Sequence, residues 1–276
     1  MSFIQSKSFD YQQFAEYLAN AEETNQWSNY GWTVKELEKR AREMLKISDD
    51  KAIIATSSGT SALHAIVLGI QRNKGVKLRI STENFTFPSS SIGPCEGPIV
   101  IDYNEHINAN MTDALLVDYG DLIIITNCFG HVQEIDFIVS QATAMNKIVV
   151  FDNAATPYSF YKDSNSCNYG TASFISLHHT KPIGFGEGGL AIVDKAFEES
   201  IRQAINFGYD EDNRFDERSS NFKMSELSAA GILQWWDQFD IDDMVETYQK
   251  NYYDAHYKLS MADLGNPFPN FSDDKF

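Results

Sequence analysis

A chain of 276 residues, 43% apolar and 13% aromatic, can bury one large α/β core with or without a small annex, and is not a disordered polymer. Lys plus Arg number 22 against 39 Asp plus Glu, and the resulting net charge of −17 repels nucleic acid and anionic membrane, so an anionic ligand needs a local site. Cys95, Cys128 and Cys167 lie far apart without C-x-x-C spacing, which argues against zinc and a disulfide framework and for a reducing cytoplasm. The opening MSFIQSKSFDYQQF has no apolar leader, and no run of about 18 apolar residues follows anywhere, so neither secretion nor membrane insertion is expected.

In chain order, Phe9 to Ala21 reads as a surface helix, followed by an aromatic and amide-rich loop from Thr24 to Trp32. Thr33-Val-Lys-Glu36 has the form of a capping box, and Val34, Leu37, Ala41, Met44 and Leu45 keep helical spacing behind it. Ala52 to Thr56 reads as a buried strand that turns through Ser57-Ser-Gly-Thr-Ser61 into an apolar helix from Ala62 to Ile70. A strand, a hydroxyl-rich turn and a helix start make an anion site, because free amides and the positive end of the helix dipole point at one spot. A plain serine or threonine cap is the ordinary alternative. The turn lacks the Gly-Lys of a Walker loop, which excludes a nucleoside triphosphate of that kind.

Strands are then predicted at Lys77–Ser81, Ile99–Asp102, Ala114–Asp118, Leu122–Thr126 and Lys147–Phe151, with a helix over Glu134–Met145. Near-continuous apolar strands alternating with helices predict a mainly parallel sheet covered on both faces, whose ligands gather at the strands' carboxyl ends. By that rule the Ser57 turn, the Phe85 to Phe87 loop, Asn127 to His131 and Asp152 share one edge. A carboxylate ending a buried strand is often a cap or an ion-pair partner; on the ligand edge Asp152 is a candidate for chemistry.

Thr171 to Asp194, TASFISLHHTKPIGFGEGGLAIVD, reads as a strand, a glycine-rich loop and a second short strand, Leu190–Val193, which places Lys181 at a strand exit. Gly184-Phe-Gly-Glu-Gly-Gly189 is not a dinucleotide loop, since it leads into strand sequence and not a helix. Its glycines instead let backbone approach something closely. Helical sequence is expected over Lys195–Phe207, from Met224 to Phe239 and over Met244–Leu259, with a polar loop at Gly208–Ser220 and no nameable element after Met261.

An anion-binding turn, an Asp ending a strand and a lysine 29 residues after it form the parts list of a pyridoxal phosphate site. A lysine carries the aldehyde as a Schiff base, a carboxylate keeps the pyridine nitrogen protonated, and a helix start holds the phosphate. At these residues the sequence resembles the DegT-type family of nucleotide-sugar aminotransferases. The matching motifs are Ser58-Gly-Thr-Ser-Ala-Leu63, Asn84-Phe-Thr-Phe-Pro88, Asp152-Asn-Ala-Ala155, Ser176-Leu-His-His-Thr-Lys181 with Gly186-Glu-Gly-Gly189, and Asn221-Phe-Lys-Met-Ser-Glu-Leu-Ser-Ala-Ala230. Asn29-Tyr-Gly31 fits the family's opening.

The resemblance implies a seven-stranded, mainly parallel α/β sheet with helices on both faces. Residues 1–240 would form the large cofactor domain, and 241–276 a helix and the remnant of a small domain that relatives carry in full. It implies Lys181 and Asp152 as catalytic residues, Thr60, Ser61, Ser176 and Asn221 around the phosphate, and Phe87 over the cofactor ring. Asn221 would come from the partner of a homodimer, and Asn29, Tyr30, Trp32 and His131 are candidate substrate contacts. The implied reaction moves an amino group, by resemblance from glutamate, to a keto group of a nucleotide-linked deoxy sugar. Ala155 departs from the Gln or His usual there, so orientation of the ring must come from elsewhere. A shortened non-catalytic relative, or an enzyme for a smaller substrate, are the alternatives.

Overall fold

The computed structural model describes residues 6–102, 118–128, 132–210, 212, 214–216, 218–238 and 240–261. The strand expected over Ala114–Asp118, apart from Asp118 itself, lies outside the described residues, as do His131, Phe239 and everything after Met261. The elements in order are α1 (Tyr11–Thr24), α2 (Trp32–Leu45), β1 (Lys51–Thr56), α3 (Gly59–Lys74), β2 (Ile80–Glu83), β3 (Ile99–Ile101) and β4 (Leu122–Thr126). Then come α4 (Ile135–Ala144), β5 (Ile148–Asp152), a small hairpin of β6 (Phe160–Tyr161) and β7 (Ser164–Asn165), and β8 (Ala172–Ser176) with β9 (Gly189–Asp194). The last three are α5 (Glu198–Ala204), α6 (Glu226–Trp236) and α7 (Ile241–Met261).

Seven strands form one sheet in the order β1-β9-β8-β5-β4-β2-β3, and within it only β9 runs against its neighbours. Period-two alternation divides each strand between two cores. Ala52, Ile54, Leu122, Ile124, Ile148, Val150, Ala172, Phe174, Ala191 and Val193 face α3 and α5. Ile53, Ala55, Ile175, Leu190 and Ile192 face α2 and α6, while Ile123, Ile125, Val149 and Phe151 face α4. Helices therefore cover both faces, as the unbroken apolar strands require. Each fully buried Leu, Ile or Phe among them stabilises the fold by about 1.5–3 kcal/mol relative to exposure.

Several predicted boundaries move, each for a local reason. The helix after the Ser57 turn begins at Gly59, not Ala62, because Ser58 caps it with its hydroxyl accepting from the Ser61 N–H at 3.1 Å. The strand expected at Lys77–Ser81 starts at Ile80. The Leu78 and Arg79 amides before it are taken by the side chains of Gln71 at 3.1 Å and Asp121 at 2.9 Å. The helix expected over Lys195–Phe207 is a 3₁₀ turn followed by α5. It stops because Asn206 pairs with Asn221 in a β-bridge and Phe207 turns left-handed at φ 57°.

The Thr33–Glu36 capping box does not form. Thr33 lies inside α2, and the helix start is capped by the fully buried Glu226 of α6, which accepts from the amides of Gly31 and Thr33 at 2.8 Å and of Val34 at 3.3 Å. Among the described residues no helix is long and apolar enough to cross a membrane.

Candidate active site

Strand register brings the chemistry to one edge. Thr126 stands opposite Asp152, and Asp152 opposite Phe174, so the carboxyl ends of β4, β5 and β8 finish side by side. Gly189, the first residue of β9, pairs with Thr56 on one side and Ser176 on the other. A Cβ at Gly189 would stand 2.3 Å from the Ser58 carbonyl oxygen. Glycine there lets the start of α3 settle over the sheet edge beside Ser176. At Gly184 a Cβ would meet the His178 carbonyl at 2.1 Å, so this glycine closes the lysine loop on itself. Close approach, as read from the sequence, explains both.

A cavity of about 550 Å³ opens at this edge, within the usual range for small-molecule sites. Lys181, Asp152, Thr60, Phe87 and Ser176 all contribute to its wall. Asp152 is 3% exposed, and among the described residues its carboxylate accepts one hydrogen bond, from the Ala154 N–H to Oδ1 at 2.9 Å. Burial pushes its carboxyl up to about 6, against the opposing pull of that amide and of the nearby Lys181 ammonium. The strand end that carries it is braced by Asn153, fully buried beneath. Asn153 donates to Ser173 Oγ at 2.9 Å and accepts from Asn127 at 2.7 Å, Thr156 at 3.1 Å and Ser166 at 3.2 Å.

At one end of the cavity, the first turn of α3 contributes Gly59 and Thr60 to the wall. Ser58 satisfies the Ser61 amide, and no hydrogen bond to the amides of Gly59 or Thr60 is formed by the described residues. Ser61 is not part of the wall. Its hydroxyl lies 2.9 Å from those of both Ser57 and Ser58 and ties the turn together. Ser176 Oγ accepts from the His178 N–H at 3.2 Å and stays on the wall. Phe85 and Phe87, 58% and 66% exposed, line the cavity and are not packed into a core.

Other predicted residues are placed elsewhere. Asn29 and Tyr30 line a separate cleft of about 130 Å³ with Arg202, Asn206 and Lys223. Tyr30 is engaged there, donating to Glu38 at 2.6 Å under the Arg202 guanidinium. Trp32 is an exposed residue opening α2, and exposed Asn221 sits on the Asn206 bridge. Neither belongs to the wall of the Lys181 cavity.

Thr86, Thr126, Asn127, Cys128, His178, Thr180 and Glu187 also line the cavity and were not singled out from the sequence as site residues. Thr126 ends β4, Asn127 and Cys128 follow it, His178 follows the end of β8 by two residues, and Thr86, Thr180 and Glu187 lie farther out in the loops after β2 and β8. His178 stands 3.5 Å from Glu187 and 2.9 Å from Thr180, across the mouth of the lysine loop.

The sequence profile of the DegT/DnrJ/EryC1/StrS aminotransferase family matches residues 10–274. The chain belongs to this family. It is 28% identical over 232 residues to dTDP-4-amino-4,6-dideoxy-D-glucose transaminase of Shigella dysenteriae, covering 81% of this chain and 61% of that protein. To GDP-perosamine synthase of Caulobacter vibrioides it is 24% identical over 227 residues, covering 79% and 60%. This DegT-family chain thus spans about three fifths of the length of the curated relatives it matches. The crystal structure of DesI in the presence of its TDP-sugar product superposes with a TM-score of 0.73 at 21% identity, over 87% of this chain and 62% of that one. At that identity the likeness concerns the fold.

The residues fit the phosphorylated pyridine aldehyde that the family resemblance implies. A buried carboxylate with an acceptor to spare, a helix start with open amides beside a serine hydroxyl, and a lysine share one cavity.

Proposed function

We propose that this chain forms the cofactor-binding domain of a pyridoxal-phosphate-dependent aminotransferase that transfers an amino group, from glutamate, to the keto group of a nucleotide-linked deoxy sugar. One observation carries the reading: Lys181, buried Asp152 and the first turn of α3 with Ser176 open into the same cavity at one sheet edge. The names of the matched relatives, a dTDP-sugar transaminase and a GDP-sugar synthase, support the substrate class.

When bound, pyridoxal phosphate supplies an aldehyde for a lysine amine and a cationic ring that takes up electron density. The Lys181 amine would hold the aldehyde carbon and, when free, would carry a proton between the donor carbon and the cofactor carbon. The Asp152 carboxylate pairs with the ring N–H. A cation there reverses the balance that burial now sets on this group and favours its ionised form. The Gly59 and Thr60 amides, the Thr60 side chain and Ser176 hold the phosphate, and Ser61 keeps that turn in shape. Phe87 covers one face of the ring. Ala154 and Ala155 leave room on the cavity floor, so orientation falls to Asp152 and the phosphate cup.

Residues 1–240 make up the cofactor domain, and 241–276 a C-terminal extension. The active unit is a homodimer in which Asn221 of one copy reaches the phosphate of the other, a role supported by its exposure and by its place off the wall of its own chain's cavity. Three free thiols suit a reducing cytoplasm.

Adding pyridoxal phosphate to the purified protein is expected to raise a visible absorbance band that Lys181→Ala abolishes. Glutamate is then expected to bleach the band, and a keto sugar nucleotide to restore it. A colourless mixture with the wild-type chain overturns the reading, and a band that glutamate leaves unchanged overturns the transaminase assignment.

A further inference from the structure

The lysine loop is gripped from behind by residues far from it in sequence. Lys7 Nζ donates to the carbonyl of Lys181 at 2.7 Å and to that of Gly184, and sits 5.2 Å from the centroid of the Trp235 ring. Trp236 Nε1 donates to the Ile183 carbonyl at 2.7 Å. Three carbonyls of one short turn are thus held from outside it.

The segment that delivers Lys7 is itself tied down. The Ser8 hydroxyl meets Gln238 Oε1 at 2.5 Å, the Asp10 N–H donates to Gln234 Oε1 at 2.9 Å, and the Phe9 ring packs 5.6 Å from that of Phe185 in the loop. Residues 7–10 therefore form a strap between α6 and the backbone of Lys181. An ammonium has three donors and no acceptor, which suits a site of converging carbonyls. Burial lowers its pKa to about 8, which leaves it cationic at neutral pH.

We propose that Lys7 is a positioning residue for Lys181: it fixes the backbone from which the Lys181 side chain enters the cavity. The inference rests on the reading above that Lys181 is the reactive lysine. Its physical content is a matter of reach. The inner hydrogen bonds of the loop, Lys181 N–H to the His178 carbonyl at 2.8 Å and Gly184 N–H to the Lys181 carbonyl at 3.1 Å, are short-range, and the second shares its acceptor with Lys7. Removing the ammonium leaves that carbonyl one donor short and frees the turn to shift, and misplacement by about 1 Å costs a reacting group up to roughly a hundredfold.

The test uses the whole chain in three variants: Lys7→Met, Lys7→Arg, and Gln238→Ala, which loosens the strap without touching the carbonyls. Two readouts apply: the rate at which the visible band grows on adding pyridoxal phosphate, and amide hydrogen exchange over 177–188 before any is added. Lys7→Met is expected to slow band growth about tenfold or more and to speed exchange in the loop. Lys7→Arg is expected to recover most of both, and Gln238→Ala to stay near wild type. Wild-type rates and unchanged exchange in Lys7→Met overturn the proposal, and so does an equal effect from Gln238→Ala, which would reduce Lys7 to a tether of the strap. If the wild-type chain raises no band, the function reading fails instead, and loop exchange still decides for or against the hold of Lys7.

Discussion

Asp152 shows how a single carboxylate is made ready by its surroundings. The β5 strand ends on it, the Asn153 network holds that end rigid, and the cavity floor removes water from it. Its folded pKa of about 6 lies above the ordinary carboxylate value of 3.8, so the folded chain binds the proton more tightly than the unfolded one. Stability from this residue is therefore fully present at low pH and is lost as pH rises through about 6. That difference corresponds to about 3 kcal/mol as an upper figure. Asp152→Asn is expected to stabilise the cofactor-free protein at pH 8 by up to that amount, with the gain shrinking toward zero as pH falls to about 4. Urea denaturation across that range measures it, and a variant no more stable than wild type at pH 8 would show that the carboxylate is not held at a cost. A group kept unfavourably ionised and in want of a cation is what a pyridinium partner requires.

At the scale of elements, Glu226 joins two helices that are far apart in sequence. Its carboxylate ends the amide ladder of α2 from within α6, and both helices pack on the β1, β9 and β8 face of the sheet. Charged acceptors on several buried amides are among the stronger hydrogen bonds, and their loss leaves donors without partners. Glu226→Ala is expected to lower stability by about 3 kcal/mol, and Glu226→Gln by about half as much because one oxygen still accepts. The midpoint of urea unfolding at constant slope reports both. The same contact explains why the capping-box motif at Thr33 misleads: a local pattern stood ready, but a tertiary carboxylate reached those amides first. The Ser58 cap was displaced less, because its turn is local and needs no partner from elsewhere.

For the whole molecule, a net charge of −17 gives no general attraction for a phosphorylated ligand, so affinity for one has to come from a local site such as the cup of amides proposed at the start of α3. The proposed dimer makes a prediction of its own. Lys181→Ala and Asn221→Ala are each expected to be inactive or nearly so alone. Mixed under conditions that exchange subunits, they are expected to regain activity, since one of the two hybrid sites then combines an intact lysine with an intact asparagine. Activity assay of the mixture against each parent decides it, and absence of recovery in a demonstrated hybrid would place Asn221 in its own chain's site or in none.

What the sequence determined is what local pattern can encode: near-continuous apolar runs alternating with helices set the parallel sheet, the hydroxyl-rich turn marked where a helix follows β1, and Asp152 and Lys181 were legible as candidates because each ends or follows a strand on the cavity edge. Relations between distant segments were decided only on folding. The Glu226 cap, the Asn153 brace, the strap that carries Lys7 to the Lys181 carbonyl, and the separation of Asn29 and Tyr30 from the Lys181 cavity all depend on which surfaces meet. The reason is that a strand or a cap is selected by the residues next to it, whereas a hydrogen bond across 174 or 195 positions exists only after the layers that bring its partners together have packed.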